Sequence, residues 1–154
     1  MVLLLLSLVP TALRLVTGYR GALRVRRALG LYSFMYATLH FLAFAGLDYG
    51  FEFDLILQAM FEGRRIPVGA VSLALLIPLA VTSTTGWIKR LGKNWRRLHR
   101  LVYLAAGLAV LHYVWTFKEL RVAPIVAGVV LLLLLVVRLP PIARALGRRE
   151  REQS

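Results

Sequence analysis

The sequence predicts an all-α, polytopic transmembrane helix bundle with four full spans and a shortened N-terminal helix. Three observations carry this prediction. Of 154 residues, 59% are apolar, and the mean hydropathy is +0.71, more apolar surface than a soluble core of this size hides. Four apolar runs approach the roughly 20 residues that one helix needs to cross a bilayer. The charges are confined to short stretches between those runs.

In chain order, Val2–Leu13 is apolar but short and is interrupted by Pro10. It lacks the basic start and small-residue cleavage site of a secretory signal. It therefore reads as a shortened spanning helix ending near Thr17, with Arg14 snorkelling at its end. The full spans are Ala28–Leu47, Ile66–Gly86, Leu98–Phe117 and Val122–Val137. None alternates as a membrane barrel strand does, and none shows the polar stripe of a soluble amphipathic helix. Short connections predict an up-and-down arrangement. Residues 1–146 form one transmembrane domain, and residues 147–154 a charged cytoplasmic tail.

The net charge of +13 is distributed by loop. Arg14, Arg20, Arg24, Arg26 and Arg27 precede the first full span, and Lys89, Arg90, Lys93, Arg96, Arg97 and Arg100 lie between the second and third. Arg138, Arg144, Arg148, Arg149 and Arg151 follow the last. Alternating helices put all three groups on one side, which the positive-inside rule makes the cytoplasm. Asp48, Glu52, Asp54, Glu62 and Glu119 fall on the opposite side, the first four in a loop, Asp48–Glu62, expected outside. The bilayer thus accounts for the basic excess, and no motif points to nucleic acid. With no Cys, disulfides, zinc–thiolate sites, iron–sulfur clusters and thiol catalysis are excluded.

All three histidines, His40, His99 and His112, lie in or at the ends of apolar spans. An ionisable residue at that depth is a functional candidate, the plain alternative being a hydrogen bond to a neighbouring helix. His40 and His112 sit late in two helices running in the same direction, so they can meet at one depth in the outer half of the membrane. No carboxylate or thiolate is nearby to complete a simple metal site. A haem brings its own equatorial nitrogens and needs only axial ligands. Bis-histidine ligation favours electron transfer over oxygen binding. His99 lies 13 residues before His112, roughly 20 Å away and about 140° round an ideal helix. The position 14 residues before His40 is Arg26. One bis-histidine haem is therefore well supported, and an inner one poorly. Arg26, Arg96, Arg97 and Arg100 are candidates for haem propionates or a flavin phosphate, beside their ordinary role as membrane anchors.

Several blocks resemble the MsrQ (YedZ) family. They are Arg26-Arg27-Ala28-Leu29-Gly30-Leu31-Tyr32 leading to Leu39-His40, and Leu79-Ala80-Val81-Thr82-Ser83-Thr84. Trp95-Arg96-Arg97-Leu98-His99-Arg100-Leu101-Val102-Tyr103-Leu104 and Leu111-His112-Tyr113-Val114-Trp115 complete the series, which covers about residues 11–138. The resemblance implies a b-type haem subunit of the bacterial inner membrane within the ferric-reductase-like transmembrane superfamily. Such a subunit passes electrons to the periplasmic molybdopterin methionine sulfoxide reductase MsrP, from the quinone pool or a cytosolic flavin reductase. FMN binding is also attributed to the family. Its histidines carry over to His40, His99 and His112, and the usual fourth falls on Arg26. Members usually have six spans, so the first and part of the second are expected to be missing here. Two other functions fit less well: the haem subunit of another ferric-reductase-like or hydrogenase-cytochrome-like system, and a cofactor-free small transporter or assembly protein. No nucleotide-binding domain follows Arg138, and broken helices with inverted repeats are not evident.

Overall fold

A computed structural model describes residues 1–17, 21–116 and 122–138. The expected tail 147–154 and the charges at Arg20, Lys118, Glu119, Arg121, Arg144, Arg148, Arg149 and Arg151 lie outside them. The described residues are helical throughout, joined by short turns. The helices are α1 (Val2–Thr17), α2 (Leu23–Ala43), α3 (Phe53–Glu62), α4 (Arg65–Val81), α5 (Thr85–Leu91), α6 (Lys93–Leu98), α7 (Leu101–Thr116) and α8 (Val122–Val136). Arg24–Asp48 and Lys93–Thr116 are each long and apolar enough to cross a bilayer. The first is α2 prolonged by a π-helical turn, Phe44–Asp48, and the second is α6 continued by α7. The pair α3 and α4 would make a third span only as one bent by 111°. α1 and α8 are shorter apolar helices of 16 and 15 residues.

The prolines explain part of this layout. Pro67 and Pro124 occupy third positions of α4 and α8, where a missing N–H costs little because first-turn donors have no intrahelical partner. Pro10 lies inside α1, which nevertheless runs on to Thr17. Pro78 lies near the end of α4, which stops at Val81, so the predicted run Ile66–Gly86 does not remain one helix. There the Thr82 and Ser83 hydroxyls donate back to the carbonyls of Pro78 and Leu79, both at 2.6 Å. Thr84 then caps α5 by accepting from the Trp87 N–H. The predicted outer loop Asp48–Glu62 also differs: it contains α3.

The core lies where α1, α4, α7 and α8 meet, around Leu4, Leu8, Leu76, Leu79, Ala105, Ala106, Ala127 and Leu131. Small residues at the contact let backbones approach, which matters where lipid removes the hydrophobic drive between helices. The α4–α7 contact is the most extensive, and the buried Ser72 hydroxyl donates to the Ala105 carbonyl at 2.9 Å across it. At one end of the bundle Arg138 donates to the Leu8 carbonyl and stacks its guanidinium over the Tyr103 ring at 5.1 Å. This brings the last described turn beside α1 and α7.

Ala105 is fully buried, so a longer side chain there must force α4 and α7 apart. Ala105→Leu is expected to destabilise the protein by about 1–3 kcal/mol, read as an earlier thermal transition in detergent; an unchanged transition would show that this contact does not set stability.

Candidate functional site

Two half-open cavities lie between the helices, one toward each end of the bundle. The first, of about 380 Å³, is lined by His40 and Ala37 of α2, Gly69 and Ser72 of α4, and His112 and Tyr113 of α7, among others. In it His40 is exposed while His112 is half-buried. The second, of about 340 Å³, is lined by Arg14 of α1, Arg26 and Arg27 of α2, Ser83, Trp95 and His99, among others. Leu4 and Leu76 line both, so the two cavities share a wall.

In the first cavity the expected meeting of two histidines is present. The His40 and His112 ring centroids are 6.4 Å apart, with the planes at 68°. His112 Nδ1 lies 2.8 Å from the Arg65 carbonyl oxygen. A carbonyl only accepts, so Nδ1 carries the proton and Nε2 keeps its lone pair. This is the arrangement that orients ligating histidines, with one ring nitrogen held by a backbone carbonyl and the other free to bind metal.

Gly69 makes the close approach possible. A Cβ there would come within 2.8 Å of the His112 ring. The carbonyl of Arg65 and the bare backbone of Gly69 lie one helical turn apart on α4, so one short stretch both holds the ring and makes room for it.

The donor set fits a haem better than a bare ion. Two imidazoles bound on opposite sides of one metal, at about 2 Å each, have centroids about 6 Å apart, close to the spacing between His40 and His112. Among the described residues no three or more of His, Cys, Asp and Glu gather into a metal-binding group. A ligand that supplies its own equatorial nitrogens is what two histidines alone can hold.

In the second cavity His99 sits at the break between α6 and α7. Because α7 starts anew at Leu101, the ideal-helix angle between His99 and His112 does not apply. The His99 ring stacks on Trp95 at 4.0 Å and 28°, and its Nε2 lies 3.1 Å from Thr82 Oγ1. Trp95 Nε1 donates to the Thr82 carbonyl at 2.9 Å, which ties this turn to the end of α4. Arg26 and His99 do share this cavity. Arg96, Arg97 and Arg100 are exposed and do not line it; Arg14 and Arg27 do. Sequence reasoning placed those two among the basic loop residues but did not aim them inward. The spacing Arg27, Gly30, Leu31, Phe34, which is one helical face lining this cavity, was the available signal.

Residues 1–110 match the family described as the ferric reductase like transmembrane component. Three curated relatives carry the name protein-methionine-sulfoxide reductase heme-binding subunit MsrQ. The protein from Rhodospirillum rubrum is 46% identical over 145 residues, covering 94% of this chain and 70% of its own length. That from Xanthomonas axonopodis pv. citri is 44% identical, covering 86% of this chain and 61% of its own length. That from Herminiimonas arsenicoxydans is 44% identical, covering 88% and 63%. The chain thus spans less than two thirds of the length of two of these relatives. No solved structure gives a significant match.

Gly69→Ala is expected to push the His112 ring off the Arg65 carbonyl and lower the haem retained by the purified protein about tenfold or more. Gly107→Ala, where a Cβ meets nothing within 4 Å, is expected to leave it unchanged. Equal haem content in the two variants would remove Gly69 from the site.

Proposed function

Because the chain belongs to the ferric-reductase-like transmembrane family, and within it to the MsrQ heme-binding subunits, we propose that it is a b-haem electron conduit of the bacterial inner membrane. Its acceptor is the periplasmic molybdopterin methionine sulfoxide reductase MsrP, so it serves repair of oxidised periplasmic proteins without itself acting on methionine sulfoxide. The observation that carries this reading is the imidazole pair 6.4 Å apart, with the His112 tautomer set by the Arg65 carbonyl.

Haem supplies reversible one-electron chemistry when bound between two imidazoles. The chain does the rest. His40 and His112 would hold the haem iron through their imidazoles and so leave no place for an exchangeable ligand. Arg65 and Gly69 hold one ring in place, and Leu73, Leu76, Ala37 and Ala109 give the pair an apolar surround. At the other end Arg14, Arg26 and Arg27 offer positive charge to haem propionates or an FMN phosphate, and Trp95 and His99 offer a stacked pair for a planar ring. A donor such as the quinone pool or a cytosolic flavin reductase would meet the chain at this basic end, which the shared Leu4–Leu76 wall separates from the histidine pair.

Orientation follows from charge. Arg14, Arg26, Arg27 and His99 meet around one cavity, so the basic turns before α2 and around α6 share an end of the bundle. The segment 48–62, which includes α3 and bears Asp48, Glu52, Asp54 and Glu62, joins the far ends of α2 and α4. The positive-inside rule puts the basic end in the cytoplasm. Arg24–Asp48 and Lys93–Thr116 are long enough to run outward from the basic end. Return crossings by the shorter α4 and α8, with the bilayer thinned to match their 17 and 15 residues, would complete that orientation, α1 packing against α2 and α8.

His40→Ala and His112→Ala are each expected to abolish the low-spin haem spectrum of the purified membrane protein, seen as loss of the sharp reduced-minus-oxidised α-band. Arg96→Ala, at an exposed position outside both cavities, is expected to keep it. Full haem in both histidine variants sinks the ligand assignment.

A further inference from the structure

The segment between α2 and α4 carries a surface that the electron-transfer reading does not use. α3 has 10 residues, Phe53–Glu62, and so extends roughly 15 Å, half of a hydrocarbon core about 30 Å thick. Both its ends are charged. Asp48, Glu52 and Asp54 stand at its start, and Glu62, Arg64 and Arg65 at its end. Neither end can rest in hydrocarbon without a large desolvation cost, so α3 enters and leaves at the same membrane face.

Nine of its ten residues sort into three stripes, with Leu55, 43% exposed, between the buried stripe and the polar one. Ala59 is buried and Ile56 and Met60 are half-buried, so this stripe meets the bundle. Asp54, Gln58 and Glu62 form a polar stripe four residues apart, joined by a 2.7 Å hydrogen bond from Gln58 Nε2 to Glu62 Oε1. Phe53, Leu57 and Phe61 form the third. Phe53 is 70% exposed and Phe61 88%, a large apolar area to leave facing water. Two further apolar side chains just before α3 are also exposed, Leu47 by 86% and Phe51 by 66%. Phe51 holds a left-handed backbone, φ 62°, directly after Gly50 at φ 57°. This reversal, fixed by the Phe51 N–H donating to the Ala45 carbonyl at 2.8 Å, turns the chain from α2 into α3.

We propose that α3 lies flat along the membrane surface at the His40–His112 end, with Phe53 and Phe61 sunk into the boundary between headgroups and acyl chains. Asp54, Gln58 and Glu62 face water. The occupant of the phenylalanine face is lipid, because α3 directly follows a membrane-spanning helix, Arg24–Asp48, whose own last turns expose Phe41, Leu42 and Leu47, apolar surface that a bilayer must cover. The grip is apolar. Surface-lying helices that select anionic lipid carry Lys and Arg on the polar face, whereas this one carries acids. The proposal does not rest on the haem.

The chain has no Cys, so single substitutions Phe53→Cys, Asp54→Cys, Gln58→Cys and Phe61→Cys each give one unique spin-label site. All four positions are exposed, and each face is sampled twice, so loss of one variant leaves the comparison intact. Val129→Cys, on the exposed side of α8, reports insertion of the full chain into phosphatidylcholine vesicles. Labels at positions 53 and 61 are expected to collide with oxygen, and those at 54 and 58 with a water-soluble nickel chelate, the accessibility ratios differing several-fold between faces. Adding phosphatidylglycerol is expected to leave the pattern unchanged. Equal nickel access at 58 and 61 would put the face in water. Shielding of 53 and 61 from both reagents, with label–label broadening, would make it a contact between copies of the chain. Hydrocarbon depth at all four sites would make α3 a re-entrant segment. Each of these three results overturns the proposal.

Discussion

The hydrogen bond from His112 Nδ1–H to the Arg65 carbonyl is the constraint on which the site depends. It joins α7 to the first turn of α4, the two helices in most extensive contact. First-turn carbonyls normally serve only the helix that contains them. Here one also accepts from a ring on a neighbour, which is possible because a carbonyl oxygen has two lone pairs. The bond selects the tautomer, and the tautomer decides which nitrogen is left to bind metal. Ring position, proton placement and helix packing are therefore one property of the α4–α7 contact, and the fully buried Ala105 and the Ser72 bond hold that contact close.

The same contact links the two cavities. α4 contributes Gly69, Ser72 and Leu73 to the outer one and Leu79 and Ala80 to the inner one, with Leu76 facing both. These positions recur at about one to two helical turns, so a single face of α4 forms a wall of both chambers. The break after α4 matters at the inner end. Thr82 lies beside His99 Nε2, and its carbonyl accepts from Trp95 Nε1, so the same residue that follows the last turn of α4 anchors the turn that carries His99.

Much of this was legible in the sequence because its signals are strong over long windows. The four apolar runs, the basic and acidic segregation and the depth of His40 and His112 depend on composition and the rise per residue alone. Other features depend on single backbone decisions that hydropathy does not register. The run Ile66–Gly86 looks uninterrupted, yet Pro78 and the back-bonding hydroxyls of Thr82 and Ser83 end α4 early. The break at His99 and Arg100 lies at the basic start of the predicted span Leu98–Phe117, where composition does not show that α7 begins only at Leu101. The segment 48–62 read as a loop because its acids dominate, although Phe53, Leu57 and Phe61 were spaced for a helix. Arg14 and Arg27 were counted as surface charge because their direction is set by the rotation of α1 and α2, which no composition reveals.

The two cavities differ in kind, and that difference bears on how charge is managed along the bundle. The outer cavity has two histidines and, among its lining residues, no fully charged side chain. The inner cavity has one histidine and three arginines, with no acid among its lining residues. A ligand bearing carboxylates or a phosphate is stabilised only at the inner end, where guanidinium groups meet it in a partly dehydrated space. A ligand at the outer end is held through its metal instead. The arginines also raise the potential at the inner end and so favour a negative charge residing there, which opposes outward electron flow unless the outer site has the higher affinity for an electron. The MsrQ reading therefore requires the higher electron affinity at the outer histidine pair. Its apolar surround would disfavour the cationic oxidised iron and work in that direction, whereas the His112 N–H bond to the Arg65 carbonyl makes that ring a more basic ligand and works against it.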